Sequence, residues 1–140
     1  MSSDEVLEYL VQKTEETGIG MTVTLSMNGL IISGQIIRSK QYYEEMSNFL
    51  DSGEIKSTNE QDIKTFSNYI ESYKQFIEQI KIQSQTKISG NPKYIHLSNA
   101  TIQPSDSEYS IPAPLWRGKL SSVDGFSIGK GTITVHKEVQ

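Results

Sequence analysis

The sequence predicts an α+β fold. It has a small, strongly bent antiparallel sheet of about five strands, an N-terminal helix, and a helical insertion at about 40–88 after strand two. Three observations predict it. Met21, Val23, Leu25 and Met27 alternate with Thr22, Thr24 and Ser26, then meet Asn28-Gly29, a two-residue hairpin signal. Ile63, Phe66, Ile70, Tyr73, Ile77 and Ile80 recur at spacings of 3, 4, 3, 4 and 3, the period of a helix. Two β-rich stretches, "YIHLSNATIQ" and "LWRGKLSSV", follow a Gly-Asn-Pro breaker.

The elements follow in order. "SSDEVLEYLVQKTEETG" reads as a helix: Ser2 and Glu5 have capping-box spacing, and Gly18 is the natural stop. Val6, Leu7, Leu10, Val11 and Thr14 share one face, suited to packing on a sheet or to a partner groove. The Asn-Gly turn then sets the hairpin register, with Met27 opposite Leu30, Leu25 opposite Ile32, Val23 opposite Gly34 and Met21 opposite Ile36. Gly34 in mid-strand predicts a bend or bulge. "SKQYYEEMSNFLDSGE" is a second helix, with Tyr42, Tyr43, Met46, Phe49 and Leu50 at helical spacing; "IKSTNEQ" is a loop. The third and longest helix starts at Asp62. Tyr69 and Phe76 widen its seam, and Lys64, Glu71, Lys74, Glu78 and Lys81 cover the remaining faces. The seam serves either this chain's core or a helical pair with a second copy; spacing alone does not choose.

After the breaker, Ile95 and Leu97 point one way while Ala100 and Ile102 fall out of phase. One extra residue near Ser98-Asn99 restores the phase, which predicts a bulge there. The segment from Pro104 to Pro114 holds three prolines and reads as a loop. "LWRGKLSSV" and "FSIGKGTITVHK" read as a strand pair joined by a tight Asp124-Gly125 turn, with Thr132, Thr134 and His136 extending the sheet. A capping helix, an Asn-Gly hairpin and a Gly-bent second strand make an SH3-like or Sm-like barrel the best analogy. That likeness concerns fold and says nothing of RNA.

A chain of 140 residues predicts a single domain spanning 1–140. It has no cysteine, so disulfides and thiolate chemistry are excluded. The net charge of −4 repels phosphate backbones and weighs against nucleic acid as a partner. No run approaches the roughly 18 apolar residues that span a bilayer, and "MSSDEVLEYL" lacks the basic and apolar regions of a signal peptide. The expected setting is cytoplasmic, with no membrane association.

A Walker loop needs G-x-x-x-x-G-K-[ST], but Gly125 and Gly129 enclose three residues rather than four. Gly131 stands where a hydroxyl is needed, and the run after it is β-branched rather than helical. No cofactor site is expected. His96 and His136 sit apart from any ligand cluster and read as polar or surface histidines, so no metal site is expected. The many serines are read as offering no nucleophile-elbow G-x-S-x-G, and no catalytic residue is expected. Arg117, Lys119 and Lys130 near Trp116 and Phe126 have the composition of a single-strand platform. The alternative function is therefore an Sm-like nucleic-acid module using Trp116, Arg117 and Lys119. Alternation sends Trp116 and Lys119 to different faces, which weakens it. Trp116 reads chiefly as a core-edge anchor among Leu115, Leu120 and Ile128 on the following strand.

Three segments carry a family resemblance. They are "LEYLVQKTEETGIGMTVTLSMNGLIISGQIIRSKQYYEEM" (residues 7 to 46), "YIHLSNATI" (94 to 102) and "LWRGKLSSVDGFSIGK" (115 to 130). "WRGK", "VDGF" and "GK" are the most specific pieces, followed by the Asn-Gly hairpin with "ISG". The chain resembles the gas vesicle accessory protein family GvpU. Residues 51 to 93 and the tail after 131 do not carry the likeness. The resemblance implies a non-enzymatic bacterial protein, associated with gas vesicles in the cytoplasm, with no catalytic, cofactor or metal residues. It implies contact with gas vesicle proteins and a role in vesicle assembly or clustering; the chain lacks the apolar composition of the vesicle wall protein. Self-association as a homo-oligomer is compatible with this. The candidate interaction residues are Trp116, Arg117, Lys119 and Phe126, with the seam Ile63, Phe66, Ile70, Tyr73, Ile77 and Ile80.

Overall fold

The structure, a computed structural model, describes residues 3–52, 58–86 and 91–129. It has two compact units: Met1–Arg38 with Pro92–Gln140, and Ser39–Asn91. The first carries the sheet and one helix, the second carries two helices, and together they make an α+β chain.

In the first unit, α1 (Glu5–Thr17) opens the described chain. Asp4 caps it, accepting from the N–H groups of Val6 and Leu7 at 2.8 and 3.1 Å. The Ser2–Glu5 capping box is thus corrected. Asp4 stands directly before the first turn, where a carboxylate satisfies two free N–H groups and meets the positive end of the helix dipole. At the other end, Gly18 takes φ 79°, and its N–H bonds to the Thr14 carbonyl. Arg38 donates from Nε and Nη2 to the carbonyls of Glu15 and Glu16, both at 3.1 Å. The last turn thereby gains a cation and partners for two free carbonyls. Leu7, Val11 and Thr14 are buried and Leu10 packs on the core, whereas Val6 is exposed.

β1 (Thr22–Met27) and β2 (Leu30–Ile36) form the expected hairpin. Val23 pairs with Gly34, Leu25 with Ile32 and Met27 with Leu30. Asn28 at φ 50° and Gly29 at φ 77° provide the two positive dihedrals of the tight turn. β3 (Tyr94–Pro104) lies antiparallel to β2. Ser33 pairs with Thr101, but Gln35 pairs with Ser98, so Asn99 and Ala100 together oppose Gly34. The bulge expected near Ser98-Asn99 and the bend expected at Gly34 are one feature. Asn99 absorbs it at φ 49°. A Cβ on residue 34 would stand 3.1 Å from atoms of both Ala100 and Leu97, which is why glycine sits there.

β4 (Ile111–Lys119) begins inside the segment expected to be loop. Pro112 and Pro114 are accommodated because β4 is an edge strand, where a missing ladder N–H is tolerated. β5 (Gly125–Ile128) lies at the opposite edge, in the order β4-β3-β2-β1-β5. The expected hairpin of the last two strands is therefore wrong. A 3-10 turn at Leu120–Ser122 carries the chain across, and β5 pairs with β1, Phe126 opposite Leu25 and Ile128 opposite Val23. Leu120, 1 % exposed, enters the core at the crossing. Asp124 does not make a two-residue turn. Its N–H donates to the Ser26 carbonyl at 2.7 Å, and its Oδ2 accepts from the Asn28 N–H at 3.2 Å. It ties the crossing to the β1–β2 turn. The five-stranded sheet is antiparallel throughout and not closed, so the barrel analogy is loose.

In the second unit, α2 (Ser39–Asp51) and α3 (Glu60–Thr86) pack together. Lys74 meets Asp51 at 2.8 Å and Lys81 meets Glu44 at 3.8 Å. Seven residues up one helix match seven down the other, so the helices run antiparallel. α3 starts two residues before the expected Asp62, because Asn59 Oδ1 accepts from the Gln61 N–H at 2.8 Å. Gly53, Gly90, Lys130 and the strand extension through Thr132, Thr134 and His136 lie outside the described residues. Among the described residues, no helix is long and apolar enough to cross a membrane.

Candidate functional site

The strand-end candidates do not converge on one surface. Trp116 pairs with Leu97 on the core side and packs against the core cluster. Its ring lies over Gly118, where any Cβ would run into the indole. The "WRG" sequence is thus a bed for the Trp, two residues along the same face. Arg117 and Lys119 lie on the other face, opposite His96 and Tyr94. Phe126 sits on β5, at the far edge, and also packs on the core. Ile128, expected beside Trp116, is on that far edge too.

Arg117 is engaged within the chain. Its guanidinium stands 3.8 Å from the centre of the Tyr94 ring, a cation–π contact. Its Nε donates to His96 Nε2 at 3.1 Å. His96 is 4 % exposed, so the surface reading fails for it. Burial, and then the positive charge of Arg117, lower its pKa to about 4. At neutral pH the ring is uncharged and can accept the Arg117 bond. Neither spacing nor motif marks this trio. Its only sequence signal is period-2 alternation, which places His96 beside Tyr94 on one face.

Gly125 to Gly129, Gly-Phe-Ser-Ile-Gly, does spell the G-x-S-x-G pattern, contrary to the expectation that the serines offer none. The letters do not make an elbow here. Ser127 is exposed in mid-strand and pairs with Thr24, whereas an elbow serine stands on a strained turn from strand to helix.

The α3 candidates divide by exposure. Ile70 and Ile77 are buried; Phe66, Tyr73 and Ile80 are half-buried; Ile63 is exposed. The Tyr73 phenol is pushed up to about 12, first by burial and then by the phenols of Tyr42, Tyr43 and Tyr69. Tyr42 and Tyr43 themselves meet edge to face, ring centres 5.5 Å apart. Tyr69 and Phe76, by contrast, face solvent.

A family model described as "Gas vesicle protein GvpU-like" matches residues 4–131. The chain belongs to the GvpU-like family. The match includes residues 51 to 93, which the recognisable segments left out, so both helices of the second unit are part of the family pattern. As a GvpU-like protein it is related to gas vesicles. No curated protein and no solved structure matches the chain.

Proposed function

We propose that this GvpU-like chain is a non-enzymatic accessory protein, acting by protein–protein contact on the assembly or the clustering of gas vesicles in the cytoplasm. The family match over residues 4–131 carries the reading. The partners are vesicle proteins and further copies of the chain. Trp116, Arg117, Lys119 and Phe126 and the 63–80 seam are the candidate contact residues. Residues 1–140 act as one domain with a helical insertion at about 40–88.

Two observations support protein rather than nucleic acid as the partner. The chain carries a net charge of −4, which opposes a phosphate backbone. Arg117, the most promising cation of the strand platform, is held between Tyr94 and His96, on the face away from Trp116.

The test is co-flotation with isolated vesicles at near-physiological salt. The expected result is a share of the protein in the floating layer, lost when the vesicle surface is stripped with urea. A protein that stays wholly in the subnatant, with or without other vesicle proteins, overturns the reading.

A further inference from the structure

β4 is an edge strand, and it ends in Leu115-Trp116-Arg117-Gly118-Lys119. Just past the Tyr94–Lys119 pair, the Leu120 N–H donates to the Lys93 carbonyl at 2.9 Å. On the other side of β3, the Ile37 N–H donates to the His96 carbonyl, also at 2.9 Å. Inward and outward backbone groups alternate along an antiparallel ladder. Trp116 and Gly118 therefore turn their N–H and C=O groups to β3, whereas Leu115, Arg117 and Lys119 turn theirs away from the sheet. Among the described residues, no backbone hydrogen bond covers these outward groups. Pro112 and Pro114 lie before this stretch, so no proline interrupts its edge.

We propose that Leu115–Lys119 accepts an extended acidic peptide of a partner protein as an added strand. The proposal rests on the reading of the chain as a protein that acts by contact, and it names the chemistry that Arg117 and Lys119 meet. In such additions the main-chain bonds supply affinity and the side chains select the partner. Charge makes the selection here. β4 carries Arg117 and Lys119 and no acid, in a chain whose net charge is −4. Both cations are exposed, and among the described residues neither is in an ion pair. Arg117 is also preset. The Tyr94 ring and the bond to His96 hold its guanidinium, and among the described residues its two Nη groups have no partner. A fixed fork binds a carboxylate through two parallel bonds and loses less freedom in doing so than a mobile one.

A second copy does not suit this edge. Paired antiparallel over its full length with its own copy, the stretch sets Arg117 directly opposite Arg117. Paired parallel and in register, it sets like charge beside like charge at both cations. Like charges directly opposite destabilise a strand pair. A partner strand with carboxylates two residues apart instead brings one to Arg117 and one to Lys119, about 7 Å apart on the same face. The residue between them turns to the other face, beside Gly118 and the half-buried Trp116, which suits an apolar side chain. The occupant is thus an extended segment that reads acid, apolar, acid.

Amide NMR of the full chain tests this, with a capped alternating Val/Glu heptapeptide added from about 10 µM to about 1 mM, the range of weak binding. Its valines are N-methylated, so that it cannot stack on itself and keeps one edge for β4. Saturable shifts and slower exchange are expected at the amides of Leu115, Arg117 and Lys119. Moving the methyl groups to the glutamate nitrogens removes the ladder bonds and keeps the charge; this peptide should bind at least about tenfold more weakly. Arg117→Gln with Lys119→Gln should weaken the first peptide by a similar factor. If that variant loses its circular dichroism, raising the salt on the wild type from about 0.05 to 0.5 M serves instead, and should weaken binding at least about threefold. No shift in the wild type at about 1 mM overturns the proposal. Equal binding of the glutamate-methylated peptide overturns the strand pairing. Equal binding of a Val/Lys or Val/Thr peptide, or binding indifferent to both the double substitution and salt, overturns the acidic class. Slowing of the same amides with protein concentration alone would put a second copy at the edge and overturn the choice of occupant. Vesicles are absent, so a failed co-flotation and a failed peptide titration remain separate results.

Discussion

His96 and Arg117 show how much of one residue's chemistry depends on its neighbours. An unfolded histidine titrates near 6.5, whereas burial and the adjacent guanidinium hold His96 at about 4. Between those values only the unfolded chain takes up the proton. The contribution to stability is therefore complete above about pH 6.5 and is lost as pH falls towards 4, by about 3 kcal/mol in all. His96→Gln keeps an acceptor for Arg117 and cannot titrate. Urea unfolding at a series of pH values from neutral to mildly acidic should show a shallower loss for this variant than for the wild type. Equal slopes would mean that His96 protonates as freely in the folded chain as in the unfolded one. Gly34 and Gly118 carry the same lesson in steric form. One makes room for the Ala100 bulge and the other for the Trp116 ring. Spacing marked Gly34 as a bend, but nothing in "WRGK" announces that the indole folds back over the glycine.

At the scale of elements, the local signals were strongest where neighbours in sequence are neighbours in space. The Asn28-Gly29 turn and the alternation around it specified the hairpin register, because a two-residue turn leaves a single pairing compatible with one apolar face. The out-of-phase Ala100 located the bulge for the same reason. The Asp124-Gly125 signal misled. The dipeptide suits a tight turn, yet Gly125 lies in β5 opposite Ser26, and Asp124 spans to the other hairpin. Asp124→Ala should cost about 1 kcal/mol, the worth of one hydrogen bond to a carboxylate at an exposed site. Amide exchange should quicken at Asn28 and leave the centre of β3 unchanged. An unaltered Asn28 amide would show that the Asp124 carboxylate does not hold the turn. The helix seam at 63–80 was legible as apolar periodicity; the burial of Ile70 and Ile77 beside the exposure of Ile63 was not, since periodicity is blind to where a covering element ends.

For the molecule as a whole, the decisive event is the crossing from β4 to β5. Leu120 plugs the core at that point, and the strand it releases completes the free edge of β1. Leu120→Ala should destabilise the chain by about 2–5 kcal/mol, the usual range for such a cavity in a tight core. Thermal unfolding followed by tryptophan fluorescence measures it, because Trp116 packs on the same cluster. A loss below about 1 kcal/mol would mean the crossing does not depend on that plug. The family assignment also belongs at this scale. It rests on a pattern running through nearly the whole described chain, including the helical unit, rather than on any one site.

The sequence by itself determined the α+β class, the three helices, the first hairpin and the position of the bulge. It also pointed to the gas vesicle family. These depend on periodicity, turn residues and short-range register, which a chain expresses locally. Only the tertiary structure decided which strands are edges, that "WRGKLSSVDGF" leads across the sheet instead of folding back on itself, and that His96 is buried beneath an arginine. It also decided which residues of α3 are buried and which are exposed. Each of these depends on pairing between residues far apart in the chain. A strand's alternation says which side faces the core; it cannot say which strand lies beside it.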